Sequence, residues 1–444
     1  MPKSYLIHNA TLIQHGHAHH LSQIDLLITD GIITDIGKGI KSDATQVTGE
    51  EIFVSAGWVD TRCHLTDPGN EHKDTLARLL DTAGAGGFTK IVTLPHSEPV
   101  ISDKSLVKYV IQSGKNHMVD IRPTGVLSSM DNQENLAELY DMHTAGAVAF
   151  TNGDHKVSNG LLKKALLYVK PFGGRIITRP SDKSLEHHGM VNESENTVHT
   201  GLKTSPALAE YIQLKEHIEV AKYCDAPLHF SAISCKESVE IIRNAKKEGL
   251  QITCDVAIAN LCFTDKEVLN FDENFKLYPP LRTEEDRLAL IQGVKDGTID
   301  AICSNHTPQN IENKELEFDY ADYGALTLQL LYAWYIRYLS SDLKLSLFVN
   351  AITANANVCI QEDLPKIEVG AVANLTVFDS KATWVLDASS NKSLSKNSHQ
   401  YNQTLRGKVI TGVADIATES AISCLALCGQ VIAGKRELAA AGIV

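Results

Sequence analysis

Residues 60–69, which read DTRCHLTDPG, place several chemically active side chains directly after an apolar segment. Alternate residues of a β-strand point to the same side, so a divalent-metal site built here needs two imidazoles at positions i and i+2. This sequence has Arg62 and His64 at those positions. A guanidinium stays protonated and has no lone pair to donate, so Arg62 cannot bind zinc. The segment therefore has the frame of a metal site but only one of its two ligands.

The composition is typical of a globular protein with room for one large and one smaller domain. The chain has 444 residues, of which 43% are hydrophobic and 21% are charged. The net charge of -13 argues against nucleic acid or an anionic membrane as the main partner.

The cysteine content and the apolar pattern of the sequence indicate the cellular compartment. The 9 cysteines are scattered and form no CxxC pair, which favours a reducing environment. The start, MPKSYLIHNA, has no charged segment followed by an apolar core, and no apolar run of 18 residues follows it. We therefore expect a cytoplasmic protein without membrane contact.

Both ends of the chain contain predicted strands. Residues 4–13 and 24–37 alternate apolar with polar side chains and turn at Asp30-Gly31. Residues 372–379, 382–387, 407–416 and 422–434 are strand-like pieces separated by glycines. We predict that residues 1–55 and 366–444 form one small β-sandwich-like domain beside a central domain of residues 56–365.

The central region alternates strands with helices. The strand candidates are residues 52–64, 90–95, 119–127, 147–152, 175–179, 227–234, 250–258 and 300–308. Helical periodicity predicts helices at 76–86, 106–114, 135–146, 161–170, 205–224, 236–249 and 284–297. Eight such strands predict a parallel (β/α)8 TIM barrel. The apolar stretch 324–340 contains Arg337 and is too short to span a membrane, so we interpret it as an outer or interface helix.

Active sites on such barrels lie at the C-terminal ends of the strands. The residues at these ends are Arg62 and His64 after strand 1, His96 after strand 2, Asn152 and Asp154 after strand 4, Arg179 after strand 5, His229 and Ala232 at strand 6, and Asn305 and His306 after strand 8. They predict a polar rim that lacks a full ligand set for even one metal ion.

Six motifs together resemble the dihydroorotase branch of the amidohydrolase superfamily. DTRCHLTDPG resembles D-x-H-x-H-x-R-x-P-G, and AGAGGFTKIVTLPHSEP resembles A-A-x-G-G-x-T-x-x-x-x-M-P-N-x-x-P. AVAFTNG resembles A-x-x-F-S-D-D-G, and LHFSAIS resembles L-H-x-x-H-x-S. KLYPPLR resembles K-x-N-P-P-L-R, and IDAICSNHTP resembles I-D-x-x-x-T-D-H-A-P. The match runs over nearly the whole chain.

The departures from these motifs fall on the positions that the family uses for chemistry. The resemblance places metal-ligand histidines on Arg62, His64, Arg179 and Ala232, the metal-bridging carboxylate or modified lysine on or beside Asn152, the substrate-pocket residues on Thr66, His96 and Tyr278, and the catalytic aspartate on Asn305. The family's P-H-H-L falls on residues 258–261, which read IANL. Framework residues, among them Leu281, Arg282 and His306, are kept.

This pattern favours a dismantled site over a rebuilt one. A rebuilt metal site would replace ligands with other ligands, whereas Arg, Ala and Asn are poor zinc ligands. Arg62 and Arg179 add positive charge at neighbouring strand ends where two metal ions would lie. We expect them to pair with Asp60, Asp154 or Asp182. Without a metal-bound hydroxide and a carboxylate at position 305, the chain lacks the means to activate water and to shuttle a proton.

The remaining candidates have ordinary structural explanations. His64 and His306 are expected to be hydrogen-bonded rim residues, and strand alternation places Cys63 in the core. Asp154 could supply the missing carboxylate only after a shift in register. The histidines that could recruit an adventitious metal are His96, His187 and His188.

The resemblance therefore implies a catalytically silent dihydroorotase homologue of pyrimidine biosynthesis that needs no cofactor. Silent relatives of this type support the assembly of aspartate carbamoyltransferase in some bacteria, so we expect that partner, together with homo-oligomers. We expect the contact surface near residues 332–338. One alternative is an active dihydroorotase or related cyclic-amide hydrolase with an atypical zinc site. Another is a protein that binds a small anion with Arg62 and Arg179.

Overall fold

The structure is a computed structural model that describes residues 4–413, with side-chain contacts as far as residue 410. The predicted strand at 422–434 and the last residues of the one at 407–416 lie outside the described residues. The described strands, in chain order, are β1 Ser4–Leu12, β2 Gln23–Thr29, β3 Ile32–Gly37, β4 Thr45–Val47, β5 Ile52–Ala56, β6 Trp58–Cys63, β7 Phe88–Thr93, β8 Asp120–Pro123, β9 Ile177–Thr178, β10 Val191–Asn192, β11 Thr204–Ser205, β12 Leu228–Phe230, β13 Ile252–Ala257, β14 Ala301–Cys303, β15 Leu375–Val385 and β16 Thr404–Val413.

Eight parallel strand positions make a closed ring. β6 pairs with β7, and β7 pairs with β8. Phe150 supplies the fourth position, because it bridges Gly125 on one side and Ile176 on the other. β9, β12, β13 and β14 continue the ring in that order. Cys63 pairs in parallel with His306 and closes it. The predicted (β/α)8 barrel and its strand order are confirmed.

Helices cover the outside of the ring, as parallel strands with apolar side chains on both faces require. They are α1 Leu76–Ala85, α2 Lys104–Gly114, α3 Leu139–Ala145, α4 Asn159–Val169, α5 Lys183–Glu186, α6 Leu208–Cys224, α7 Lys236–Lys247, α8 Ile258–Cys262, α9 Glu284–Asp296, α10 Ile311–Lys314, α11 Leu331–Trp334, α12 Leu345–Ala351 and α13 Ala354–Cys359. Helix α9 begins with a capping box between Thr283 and Asp286. Across residues 4–413, no helix combines the length and the apolarity that a bilayer crossing needs.

The apolar stretch after the last barrel strand is part of the core. It is divided into a 3-10 turn at Leu328–Leu330, helix α11 and a π-helical turn at Tyr335–Leu339. Tyr332, Trp334 and Tyr335 are buried. The prediction of one outer or interface helix is therefore wrong, and most of the apolar side chains of residues 332–338 are not available as a contact surface.

The two ends of the chain meet in one small β-domain. Its seven-stranded sheet has the order β16-β15-β5-β1-β2-β3, with β4 also paired to β1. The apolar faces of these strands enclose their own core, in which Leu12, Leu26 and Val54 have no exposed surface. The expected small β-domain built from both ends is confirmed. The predicted strands at 372–379 and 382–387 are one strand, β15, with a register shift between Asp379 and Thr383. The domain boundaries at 55/56 and 365/366 stay predictions.

Candidate functional site

A cavity of about 710 Å3 lies at the C-terminal ends of the barrel strands, where the sequence placed a polar rim. The side chains in its wall come from several strand ends and from the loops that follow them. They include His64, Asp154, Lys183, Tyr278, Asn305 and Tyr323. The cavity has the position that substrate sites have in TIM barrels.

Asp154 lies at the centre of a cluster of cations in the wall of this cavity. Arg62 Nη2 donates a hydrogen bond to Asp154 Oδ1 at 2.6 Å, and Arg179 Nε lies 3.6 Å from the same oxygen. His64 Nε2 lies 3.8 Å from the other carboxylate oxygen, Oδ2. Arg62 and Arg179 belong to the first and fifth positions of the ring. They approach Asp154 from opposite sides of the barrel, so the prediction that they stand at neighbouring strand ends is wrong.

The turn after the fourth ring position explains how Asp154 reaches the cluster. Asn152 Oδ1 accepts hydrogen bonds from the backbone N–H groups of Leu127 and Ser128, both at 3.1 Å, so its amide is directed into the loop after β8. Gly153 then adopts a φ of +57°, in the left-handed region that glycine tolerates. A Cβ atom at Gly153 would clash with the ring of His96. This turn brings the carboxylate of Asp154 into the position predicted for the side chain at 152.

The two guanidiniums decide the charge of the cluster. Burial alone would raise the pKa of Asp154, but Arg62 and Arg179 outweigh burial and hold it well below its ordinary 3.8. Burial lowers the pKa of His64 to about 3, although Asp154 acts in the opposite direction. At neutral pH the cluster therefore contains two cations, one carboxylate and a neutral imidazole, which gives it a surplus positive charge.

Asn305 joins Arg62 to the loop at Tyr278. Its Oδ1 accepts a hydrogen bond from Arg62 Nε at 2.8 Å, and its Nδ2 donates to the backbone oxygen of Tyr278 at 3.0 Å. A carboxylate at this position could accept the first bond but could not donate the second. The position that the resemblance assigns to a catalytic aspartate thus fixes the guanidinium in place.

Tyr278 and Arg179 form a stack above the cluster. The guanidinium carbon of Arg179 lies 3.5 Å from the centre of the Tyr278 ring, which is a favourable cation–π geometry. The Tyr278 hydroxyl donates to Glu186 Oε2 at 3.0 Å and accepts from Lys183. Lys183 also bonds Glu186 at 2.9 Å. The ring and this ion pair occupy the side of the cavity where the resemblance places a substrate asparagine.

Two further predicted site positions, 66 and 232, supply no ligand or substrate contact to the cavity. Thr66 Oγ1 donates to the backbone oxygen of Asp74 at 2.6 Å, so its hydroxyl is engaged. Ala232 is buried, and its backbone N–H donates to Asp255 Oδ1 at 2.6 Å. Asp255 also contacts His229 Nε2 at 3.0 Å inside the barrel. A methyl side chain at 232 has no donor atom, so this position cannot bind a metal ion.

The other two carboxylates considered for the arginines have their own partners. Asp60 is buried and accepts hydrogen bonds from Ser304, and burial raises its pKa to about 7. Asp182 caps helix α5 by accepting from the backbone N–H of Ser184 at 2.8 Å. The guanidinium of Arg62 is thus directed to Asp154 and Asn305.

Two of the histidines, His96 and His306, are held by contacts with backbone groups. His96 Nε2 lies 3.3 Å from the backbone oxygen of Asn152 and must carry the proton there, since a carbonyl only accepts. His306 Nδ1 accepts from the backbone N–H of Thr327 at 3.0 Å. His306 has no exposed surface, so it is a hydrogen-bonded interior residue and not part of the rim. Cys63 is buried in the core, as expected. His188 lines the cavity wall.

The residues at the predicted metal positions do not fit a metal ion. A cation bound by Asp154 would have to lie between the guanidiniums of Arg62 and Arg179, with His64 as its imidazole ligand. Among the side chains of residues 4–410, no group of three or more His, Cys, Asp or Glu is arranged to hold a metal ion. The donor set disagrees with the zinc centre that the resemblance implies. Whether the protein is free of metal stays a prediction.

Two parts of the site were not foreseen from the sequence. The first is the central place of Asp154, which the sequence offered only after a shift in register. The signal for it was Gly153, since a glycine in a short strand-end loop indicates a sharp turn. The second is the group of Lys183 and Glu186 beside Tyr278. Both stand on a four-residue helix that the sequence did not predict.

The fold and the strand-end site together define a barrel protein of the amidohydrolase type. A family sequence model described as Dihydro-orotase-like matches residues 52–238. The L-hydantoinase (dihydropyrimidinase) of Arthrobacter aurescens superposes with a TM-score of 0.82 at 21% identity, over 97% of each chain. A D-hydantoinase structure superposes with a TM-score of 0.74 at 20% identity, over 93% of this chain and 97% of the other. These likenesses show the fold.

Two curated relatives identify the family. The dihydroorotase of Geobacter metallireducens is 35% identical over 397 residues, which cover 87% of this chain and 94% of the relative. The dihydroorotase of Acetivibrio thermocellus is 36% identical over 391 residues, which cover 87% and 92%. The chain belongs to the dihydroorotase family.

Proposed function

We propose that this protein is a non-catalytic member of the dihydroorotase family that serves as a structural or regulatory partner of aspartate carbamoyltransferase. The observation that carries the proposal is the ion pair between Arg62 Nη2 and Asp154 Oδ1 at 2.6 Å. A guanidinium takes the carboxylate that a metal ion would need, and it cannot be displaced by deprotonation. The carboxylate of Asp154 is therefore committed to stabilising the strand ends.

The remaining positions support the same conclusion one by one. An amide at Asn305 cannot accept a proton as a general base at neutral pH. Thr66 carries no positive charge, and its hydroxyl donates to the backbone oxygen of Asp74. This position therefore supplies no cation to hold a substrate carboxylate. Tyr278 fills the space beside Arg179 with its ring. Loss of the metal ligands, the base and a substrate contact together removes more catalysis than the loss of any one of them.

The proposed partner rests on the resemblance and on what the chain has kept. Framework motifs of the family remain while the catalytic positions have changed, which is the pattern expected when a surface is needed and a pocket is not. The acidic balance, with a net charge of -13, suits a protein partner better than nucleic acid.

The competing proposal is an active cyclic-amide hydrolase with an atypical mononuclear site. The observation that favours it is the approach of His64 and His96, whose ring centres are 5.7 Å apart next to Asp154. The pKa of His96, like that of His64, is lowered chiefly by burial, so both imidazoles keep a lone pair at neutral pH. A single ion held by these residues would have to displace the guanidinium of Arg62.

Turnover and metal content distinguish the two proposals. The full chain is purified with zinc present, dialysed against zinc and assayed with dihydroorotate and with carbamoyl aspartate. The dihydroorotase of Geobacter metallireducens serves as the positive control. We expect background turnover and no stoichiometric metal by elemental analysis. A zinc-dependent rate that disappears in His64→Ala would overturn the non-catalytic proposal in favour of the hydrolase.

The partner is tested separately. This chain and the aspartate carbamoyltransferase of the same genome are co-expressed and analysed by size-exclusion chromatography with light scattering. A stable complex should bury more than about 1,000 Å2 and co-elute at micromolar concentrations. Separate elution, with transferase assembly and activity unchanged, would remove the support for this partner and leave the metal-free site unaffected.

A further inference from the structure

Exposed tyrosines are concentrated on one side of the barrel. Among the described residues, the five tyrosines with the largest exposed fractions are Tyr109 at 48%, Tyr140 at 51%, Tyr168 at 49%, Tyr223 at 74% and Tyr320 at 76%. The first four belong to helices α2, α3, α4 and α6, which follow the second to fifth positions of the barrel ring in order. Tyr320 follows α10, after the eighth position. Four neighbouring outer helices therefore each present a tyrosine to the solvent.

Two of these tyrosines form a ring cluster with Phe172, which ends the turn after helix α4. The ring centres of Tyr140 and Phe172 are 5.3 Å apart, and those of Tyr168 and Phe172 are 5.9 Å apart, both in edge-to-face geometry. The ring of His143 lies 5.0 Å from that of Phe172. We call Tyr140, His143, Tyr168 and Phe172 the aromatic patch. Single exposed apolar residues are ordinary on a protein surface, whereas a contiguous exposed cluster indicates an interaction site.

Unpaired charges of opposite sign lie on the two helices that carry the aromatic patch. Helix α4 has Lys163 and Lys164 exposed, and Glu138 is exposed at the start of α3. Lys163 lies 5.0 Å over the ring of Tyr223, and Lys164 donates to the backbone oxygen of Glu134 at 3.0 Å. Within the described part of the chain, neither lysine has a carboxylate oxygen within 4 Å. The α4 side of the patch is thus positive and the α3 side negative.

The other charges beside the patch are already paired. Lys104 lies 3.3 Å from Asp141 on the α3 side, and Lys170 lies 3.1 Å from Asp225 on the α4 side. These pairs leave the polarity between Glu138 and the two lysines of α4 unchanged.

This polarity decides which partner the patch fits. Lysines interleaved with aromatic rings suit single-stranded nucleic acid, but Glu138 and the net charge of -13 oppose a polyanion. In a twofold contact the same surface is used by both copies, so each residue of one copy meets its counterpart's neighbour in the other. A twofold axis through the aromatic patch brings Glu138 of each copy opposite Lys163 and Lys164 of the other. The surface therefore complements a second copy of itself.

We propose that the aromatic patch is the centre of a twofold interface between two copies of this chain. The rings of the patch pack against each other, and Glu138 of each copy pairs with Lys163 and Lys164 of the other. Aromatic residues are enriched at the centres of protein interfaces, where they contribute most of the binding energy. The inference does not depend on the proposed function, since an active hydrolase could form the same dimer.

The oligomeric state of the full chain is the first test. Size-exclusion chromatography with light scattering should show a dimer at micromolar concentrations, and sedimentation equilibrium measures its Kd. Tyr140→Ser/Tyr168→Ser should raise that Kd about tenfold or more, because it removes two aromatic side chains from the centre of the interface. Tyr320→Ser is the matched control, since its tyrosine is also exposed but lies after the eighth ring position. Circular dichroism checks that each variant folds.

Exchanging the charges tests the twofold arrangement. Glu138→Lys and Lys163→Glu/Lys164→Glu each place like charges opposite each other, so each variant alone should dimerise about tenfold more weakly. An equimolar mixture of the two variants should form a heterodimer close to the original Kd. In that heterodimer the exchanged groups face each other in one half of the interface, and the original groups face each other in the other half. All three positions are exposed, so these changes spare the core.

Three results would overturn the inference. The first is a chain that stays monomeric at tens of micromolar, and the second is a dimer that is unaffected by Tyr140→Ser/Tyr168→Ser. The third is a mixture of the two charge variants that associates no better than either variant alone. A monomeric chain that binds aspartate carbamoyltransferase, and loses this binding in Tyr140→Ser/Tyr168→Ser, would assign the patch to that partner instead. Turnover and metal content test the proposed function separately, so its failure would leave the dimer unaffected.

Discussion

Arg62 Nε and Asn305 Oδ1 are joined by a hydrogen bond of 2.8 Å across the seam where the first and last strands of the barrel meet. In the family to which the chain belongs, the resemblance gives these two positions to a metal ligand and a catalytic aspartate. In this chain the two side chains are hydrogen-bonded to each other. The two side chains at these positions therefore connect strand ends where the barrel closes.

Removal of the Asp154 carboxylate should destabilise the fold. Asp154→Asn leaves the buried guanidiniums of Arg62 and Arg179 without their counter-charge, and breaking one side of a buried ion pair costs about 3–5 kcal/mol. Urea denaturation should show this loss in the free energy of unfolding at pH 7. Asp225→Asn is the control, because Asp225 is highly exposed and pairs with Lys170 on the surface. Equal denaturation midpoints for the two variants would contradict the central role of Asp154.

The tight contact between Gly153 and His96 should appear as coupling between the two positions. Gly153→Ala adds a methyl group against the His96 ring and places a side chain at a φ of +57°, so we expect a loss of about 1–3 kcal/mol. Part of that loss should be recovered in the double variant Gly153→Ala/His96→Ala, where the ring is absent. A double-mutant cycle by urea denaturation measures the coupling. Additive effects would show that the ring does not restrict position 153.

Asp74 should make stability depend on pH. Burial raises its pKa to about 6 from an ordinary 3.8, even though Ser393 Oγ donates to it at 2.6 Å. The folded state therefore binds a proton that the unfolded chain has released. This contribution is present below pH 3.8 and is lost as the pH rises through about 6.

Asp74→Asn removes this titration. Its amide oxygen can accept from the backbone N–H groups of Thr75 and Leu394, and its NH2 can donate to Ser393 Oγ. We compare the free energy of unfolding of Asp74→Asn with that of the unmodified chain. The difference, variant minus unmodified chain, should increase between pH 4 and pH 6.5 and then level off. Urea denaturation over that range, with Asp225→Asn as the control, measures it. A difference that is independent of pH would show that Asp74 titrates normally.

Restoring one ligand should not restore activity. Arg62→His returns an imidazole to the first strand, but position 179 remains arginine, position 232 remains alanine and position 305 remains an amide. Because ligands and base act as a unit, we expect turnover of dihydroorotate to stay at background with zinc present. Asn305→Asp serves as the matched single change at the other position. A zinc-dependent rate in either variant would mean that the site is closer to a working enzyme than its geometry indicates.

The fold was predictable because its signals repeat. Eight apolar segments alternate with amphipathic ones, and each strand candidate occupies its predicted place in the ring. The stretch around Tyr332 and Trp334 was misjudged because periodicity does not tell a surface helix from a buried, irregular one. Its π-helical turn has no clear signal in the residue pattern.

The sequence also showed which residues replace those of the family at the site, but it did not show how these residues are arranged in space. Arg62 and Arg179 were predicted at neighbouring strand ends but lie on opposite sides of the ring, and the reach of their side chains decides that they share one carboxylate. Asn152 looked like the bridging position because it ends the strand. Two backbone N–H groups hold its amide in the neighbouring loop, and this contact is between residues about 25 positions apart. Such contacts are set by tertiary structure.

The long sequence separation between β6 and β14 affects how the barrel forms during synthesis of the chain. The two sides of the seam between these strands lie 243 positions apart, so the first barrel strand cannot gain its second neighbour until just over three hundred residues have been synthesised. Until then the growing sheet has two unpaired edges, and such edges recruit strands from other chains. A product truncated before residue 301 would keep both edges open for good. Ribosomal drop-off in this gene should therefore yield inclusion bodies instead of a smaller folded domain.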